Sequence, residues 1–293
     1  MTKDKPYPEK SKIKWVSTDW LEDHLDDTDM MIIDFQPNIH DYIKMHIPGA
    51  IYMNPALFRV PKNGIPGKFV PKEVAKMLFQ RIGLKPDMPV VIYTDVGAFK
   101  GWGDGLEQTM AAFCLSLYGH NKVHVLDGGM TKWRDEDKRV VQEFPIKKHK
   151  ESTFKATYRS EYIIEYDEFK KVKDNDDVMI FDARPAGVYE GQGPWRKPGH
   201  IPGAINLPWK TFMDDDNPRL LKPKEEIHKI LKEHGITKDK MIICSCGTGR
   251  EATNEFILFK FYLQFPKVKL FDGSFTEWTA YPDNPTVTGK NPR

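Results

Sequence analysis

Apolar positions along the chain fall into two alternating patterns. Short unbroken runs at 31–34, 90–93 and 123–126, and again at 178–182, 241–244 and 268–271, lack the in-out alternation of a half-exposed strand. Such runs predict strands buried on both faces. Between them lie stretches with helical spacing at 20–25, 72–82 and 108–118, then at 166–172, 224–234 and 251–263. Strand alternating with helix predicts an α/β fold, a mostly parallel sheet flanked by helices.

The pattern occurs twice. His46-Ile47-Pro48-Gly49-Ala50-Ile51 returns as His200-Ile201-Pro202-Gly203-Ala204-Ile205, and Leu126-Asp127-Gly128 returns as Phe271-Asp272-Gly273 ahead of Trp133 and Trp278. The offset is roughly 150 residues, the size of a domain rather than of a solenoid repeat. Two tandem domains are expected, at 1–143 and 159–293, joined by a lysine-rich linker at 144–158.

Composition narrows the function. At 40% hydrophobic and 29% charged, the 293 residues can fill two cores. A net charge of +2 gives no electrostatic case for nucleic acid. No apolar run approaches the ~20 residues of a membrane span. Residues 1–14 are polar and lysine-rich, without the apolar stretch of a secretory leader, and are expected to form a frayed arm. Three cysteines, Cys114, Cys244 and Cys246, are too few for a disulfide scaffold and predict a reducing, cytoplasmic location. No Cys/His spacing suits zinc, and neither a metal nor another cofactor is expected.

The chemistry concentrates after the strand at 241–244. The chain there reads Cys244-Ser245-Cys246-Gly247-Thr248-Gly249-Arg250-Glu251 and then enters a helix. Ligands of parallel sheets sit at the carboxyl ends of strands. Gly247 and Gly249 let successive amides converge on one anion, and the helix start and Arg250 add positive potential. A cysteine in that loop is expected to have a lowered pKa and to act as a thiolate. Cys114 lies in an apolar helix and Cys244 continues a strand, so both read as packing residues. His46 and His200 recur in both halves ahead of an Ile-Pro-Gly turn, which points to turn and core packing rather than catalysis.

These motifs, in this order and twice over, resemble the two-domain rhodanese-type sulfurtransferases, the thiosulfate and 3-mercaptopyruvate sulfurtransferase family. The resemblance covers nearly the whole chain. It implies that Cys246 takes a sulfane sulfur from a small anionic donor and passes it to a thiol, cyanide or a thioredoxin-like acceptor. Aligning 91–94 with 242–245 sets Asp95 opposite Cys246, so the first domain is expected to be silent. The resemblance further implies that Arg184, Arg196 and Arg250 hold the donor. Asp182, Asp272 and Cys244 would support the loop from behind. Val188 stands where the family carries a second arginine, and the charge of Arg250 favours thiosulfate over 3-mercaptopyruvate.

Two other functions fit the same loop. Cys244, followed six places later by Arg250, has the spacing of a cysteine-dependent phosphatase. The pair Cys244 and Cys246 also suits a redox or sulfur-carrier regulatory protein.

Overall fold

The structure, a computed structural model, describes residues 11–96, 105–145 and 151–293. Along the first half the elements are β1 (Ile13–Val16), α1 (Thr18–Asp23), β2 (Met31–Asp34), α2 (Ile39–Lys44) and β3 (Ile51–Tyr52). They continue as β4 (Arg59–Lys62), β5 (Ile65–Phe69), α3 (Lys72–Arg81), β6 (Val90–Tyr93), α4 (Leu106–Leu117), β7 (Val123–Leu126) and α5 (Gly129–Asp135). The second half contains α6 (Tyr166–Val172), β8 (Val178–Asp182), β9 (Ala204–Asn206) and α7 (Lys224–Glu233). It closes with β10 (Met241–Ser245), α8 (Ala252–Ile257), β11 (Val268–Leu270) and α9 (Ser274–Ala280).

Two compact units result. Unit 1 comprises Met1–Phe58, Val70–Arg159 and Met213–Pro223; unit 2 comprises Arg59–Phe69, Ser160–Phe212 and Lys224–Arg293. Each therefore includes a short segment from the other half of the chain. The sheet of unit 1 has the order β1-β7-β6-β2-β3 and that of unit 2 the order β11-β10-β8-β9. Every pairing within these two sheets is parallel.

The all-buried runs do become the central strands: β2 and β6 are buried at every position. Leu21, Ile47, Val91, Leu126 and Trp133 build one core of unit 1. Phe169, Ile180, Ile201, Ile243 and Trp278 build its counterpart in unit 2. Local chemistry sets the ends, as at α1, where the Ser17 hydroxyl accepts the Trp20 amide at 3.1 Å. Among the described residues no helix is long and apolar enough to cross a membrane.

Three expectations need correction. Of the arm expected over 1–14, residues 1–10 lie outside the described residues, while Ile13 and Lys14 belong to β1, paired with Val123 and His124. Lysines at 12 and 14 mask the strand in the sequence, while Ile13 and Trp15 are buried beneath. The helix expected over 251–263 stops as an α-helix at Ile257 and widens into a π turn over Leu258–Tyr262. The antiparallel hairpin β4–β5 was not legible, because Pro61, Lys62, Pro66 and Gly67 interrupt any apolar run. Of the expected linker, 146–150 lie outside the described residues. Its later part packs on unit 1, where Thr157 donates to the Tyr118 carbonyl at 3.0 Å.

Candidate active site

The chain leaves the sheet of unit 2 at Ser245, whose partner on β8 is Asp182. Cys246 is the first residue beyond the strand and is fully buried. Its sulfur is the focus of the loop: the Gly249 amide donates to Sγ at 3.1 Å, and the backbone amides of Thr248 and Ala252 also hydrogen-bond to it. Three backbone amides thus converge on this sulfur.

The start of α9 holds the loop from the other side. Phe275 and Thr276 donate their amides to the carbonyls of Cys246 and Gly247, each at 3.0 Å. The Ser274 hydroxyl accepts the Cys246 amide at 3.0 Å and donates to the Phe271 carbonyl at 2.7 Å. Ser274 has a φ of 50°, left-handed backbone that puts its side chain under the loop. Gly249, at φ +81°, lies against the Asp272 carbonyl, which a Cβ there would approach to 2.4 Å. On Gly247 a Cβ would come within 2.4 Å of the Trp195 ring. Trp195 is fixed by its indole N–H on the Thr276 hydroxyl at 2.8 Å, and that hydroxyl donates to the Gly247 carbonyl at 2.8 Å.

The arginines divide. Arg184 is 1% exposed, and its guanidinium forks onto Asp182, with Nη2 at 2.5 Å from Oδ2 and Nε at 2.8 Å from Oδ1. Nη2 also donates to the Gly199 carbonyl at 2.9 Å, and the group lies over the rings of Phe275 and Trp195. That engagement fixes the guanidinium against Asp182 and leaves Nη1 buried with no hydrogen-bond partner among the described residues. Arg196 is exposed. Arg250 is half-buried at the loop's end, its carbonyl accepting the Thr253 amide at 3.2 Å and hydroxyl at 2.7 Å.

The hairpin β4–β5 brings residues that motif spacing did not suggest. Arg59 donates from Nη2 to the Thr248 carbonyl in the active loop. Lys68 is 7% exposed and lies 3.6 Å from Asp272 and 3.2 Å from Glu277. Burial works against its charge, but the two carboxylates hold its pKa above the ordinary lysine value. Burial raises the pKa of Asp272 despite Lys68 and Arg59 nearby.

The protonation of Cys246 departs from the expected lowered pKa. Burial pushes its thiol well up, and the adjacent, hydrogen-bonded Glu251 carboxylate pushes it further; the amides of Ala252 and Thr248 oppose them without prevailing. Cys244 is also raised well above the ordinary thiol range, by burial and then by Glu255. Glu255 is itself fully buried on α8, and burial raises its carboxyl strongly. Cys244 remains inside β10, paired in register with Phe181 and Leu270.

Backbone register also corrects the alignment of the two halves. Asp34 pairs with Tyr93 as Asp182 pairs with Ser245, and Met130 donates to the Thr94 carbonyl at 2.9 Å as Phe275 donates to that of Cys246. Thr94, not Asp95, therefore occupies the position of Cys246 in unit 1. Asp95 is the next residue, bound by the Thr131 hydroxyl at 2.7 Å and by Arg134 at 3.2 Å. The one-residue slip arose because the strands are uniformly apolar and carry no internal register mark. His46 and His200 have the packing role expected of them. Each stacks on a tyrosine, Tyr42 and Tyr189, and contacts that tyrosine's carbonyl through Nδ1 at 2.8 and 3.0 Å.

Comparison with known proteins agrees with this architecture. The family described as "Rhodanese-like domain" matches twice, over 17–136 and 165–281. A putative thiosulfate sulfurtransferase of Synechococcus elongatus is 31% identical over 279 residues, covering 92% of this chain and 84% of that protein. The 3-mercaptopyruvate sulfurtransferase of Escherichia coli K12 is 29% identical over 284 residues, covering 92% and 96%. Among solved structures, an anaerobic ergothioneine biosynthesis enzyme from Chlorobium limicola, in complex with trimethyl histidine, superposes with a TM-score of 0.80. It is 22% identical, with 94% of this chain and 70% of that one covered, a likeness of fold. Two family matches, each on a parallel sheet with the same Asp-Gly closing motif, show that the chain belongs to the rhodanese family in its two-domain form, alongside the thiosulfate and 3-mercaptopyruvate sulfurtransferases.

Proposed function

We propose that unit 2 is a sulfurtransferase whose nucleophile is Cys246 and whose intermediate is a Cys246 persulfide. The observation that supports it is the convergence of the Thr248, Gly249 and Ala252 amides on Cys246 Sγ, with Cys244 left inside the strand. Deprotonated, the Cys246 sulfur attacks the sulfane sulfur of thiosulfate; an S–S bond forms, and sulfite leaves with the electron pair of the broken bond. With 3-mercaptopyruvate the same attack releases the enolate of pyruvate, which takes up a proton. A thiolate, cyanide or a thioredoxin-like protein then attacks the outer sulfur and returns Cys246 as thiolate. The amides stabilise both anions, thiolate and persulfide, in one place. No cofactor takes part in these steps.

Gly247 and Gly249 give the loop its path, Thr248 supplies an amide, and Arg250 adds positive charge at the loop's end. Glu251, hydrogen-bonded to the thiol, is placed to receive its proton. Asp182 and Asp272 act from behind, one by fixing Arg184 and the other by pairing with Lys68. Thiosulfate remains the donor favoured by the charge of Arg250. Unit 1 has no thiol at the corresponding position and acts as a non-catalytic domain. Free, buried cysteines suit a reducing compartment such as the cytoplasm.

Intact mass after incubation with thiosulfate tests this. A gain of one sulfur atom is expected in wild type and in Cys244→Ser but not in Cys246→Ser. No gain from thiosulfate or 3-mercaptopyruvate, with phosphatase turnover lost in Cys244→Ser, would overturn it in favour of the phosphate-loop reading.

A further inference from the structure

We infer that Arg59, on the hairpin β4–β5 and outside every motif of the catalytic half, binds the oxyanion end of the sulfur donor. The inference rests on the sulfurtransferase role proposed for Cys246 and names the residue that recognises the donor's charge.

Both donors carry an oxyanion away from the sulfur to be transferred, a sulfonate in one and a carboxylate in the other. A cation against the loop that carries Cys246 would hold that end through charge-assisted hydrogen bonds. Thr248 links the two: its amide bonds to the sulfur, and its carbonyl accepts from Arg59 Nη2. Gly67, across the hairpin, leaves room for the guanidinium; a Cβ there would lie 2.9 Å from Nη2 and 3.6 Å from Thr248 Cβ. The group rests on the Phe69 ring, 4.6 Å from its centroid, which fixes the plane of the fork.

Its remaining arm is available. Arg59 Nη1 is buried and has no hydrogen-bond partner among the described residues. No carboxylate among them lies within ion-pair distance of Arg59, although the charge of Asp272 is felt nearby. The other cations behind the loop have ion-pair partners, Arg184 in Asp182 and Lys68 in Asp272 and Glu277, although Nη1 of Arg184, like that of Arg59, has no hydrogen-bond partner among the described residues. Arg59 thus combines a fixed fork, a donor facing no protein acceptor, and a charge not cancelled by an ion pair. A planar oxyanion engaging Nη1 satisfies that donor.

The test separates binding from loop support. In Arg59→Gln, the KM for thiosulfate and for 3-mercaptopyruvate should rise about tenfold or more, the loss of one charged hydrogen bond, with kcat changed by less than about threefold. Sulfite, an oxyanion that transfers no sulfur, should protect Cys246 from alkylation in wild type and much less in the variant. Alkylation by neutral iodoacetamide without sulfite should be equal in both. Arg59→Lys keeps the charge and should recover part of the KM. An unchanged KM in Arg59→Gln overturns the inference. So does a joint fall of kcat and of uninhibited alkylation rate, which would make Arg59 a support of the loop only. Wild-type protein that gains no sulfur at Cys246 defeats the sulfurtransferase proposal itself. Wild type that gains sulfur while the variant keeps its KM defeats only the role of Arg59.

Discussion

The hydroxyl of Ser274 accepts the amide of Cys246 at 3.0 Å while donating to the carbonyl of Phe271 at 2.7 Å, so one buried side chain ties the reactive loop to the end of β11. In Ser274→Ala the Cys246 amide stays buried without its acceptor, a cost of about 1–3 kcal/mol. The loop should loosen before the fold does. Sulfur loading of Cys246, followed by intact mass, should slow at least tenfold. Chemical denaturation should show a loss no larger than that range.

Charge around the same sulfur governs when it reacts. Burial and then Glu251 hold the Cys246 thiol well above its ordinary range. The thiolate fraction near neutral pH is therefore small, and alkylation of Cys246 should keep rising with pH past the point where a free cysteine levels off. In Glu251→Gln the negative neighbour is gone, and the profile should shift to lower pH. Rates of iodoacetamide labelling, resolved by peptide mass, check both statements. A variant profile shifted to higher pH would show that the carboxylate does not act on the thiol as described.

Acid should weaken unit 1. Burial lowers the pKa values of His120 and His124 to about 4, so in the unfolded chain both take up protons that the folded unit refuses. For these groups stability is full above about 6.5 and is lost as pH falls towards about 4. Asp34 runs the other way: burial raises it to about 6, so it contributes stability at low pH that is lost as pH rises from about 4 through about 6. Between pH 7 and pH 5 the two histidines outweigh the single aspartate, for a net loss of about 2 kcal/mol. Urea unfolding at the two pH values, followed on the transition of this unit, measures it. A transition that strengthens at pH 5 would mean that Asp34 dominates.

What the sequence made legible follows from range. The central strands are readable because burial on both faces removes polar residues from four or five consecutive positions, as at Val90–Tyr93. The reactive loop is readable because its chemistry is local: Cys246, Gly247 and Gly249 stand side by side. Arg59, Lys68 and Ser274 are not legible because their contacts with Thr248, Glu277 and Cys246 span 189, 209 and 28 positions, and no spacing rule links them. The pKa of Cys246 was expected in the wrong direction for a related reason. The amides that lower it are encoded in the loop, but the burial that raises it comes from the whole unit. The fork of Arg184 onto Asp182 is not legible, since a spacing of two residues says nothing of the guanidinium's orientation.

The assignment of Arg59–Phe69 to one unit and of Met213–Pro223 to the other has an evolutionary edge. The two copies of the ancestral module are no longer interchangeable beads on a string. A stop codon, a gene fission or a recombination event at the junction would deliver one product without its hairpin and another without its loop. Changes in one half can therefore be answered by changes in the other. The two must drift as a single hereditary unit, which ties the retention of each copy to the working of the other.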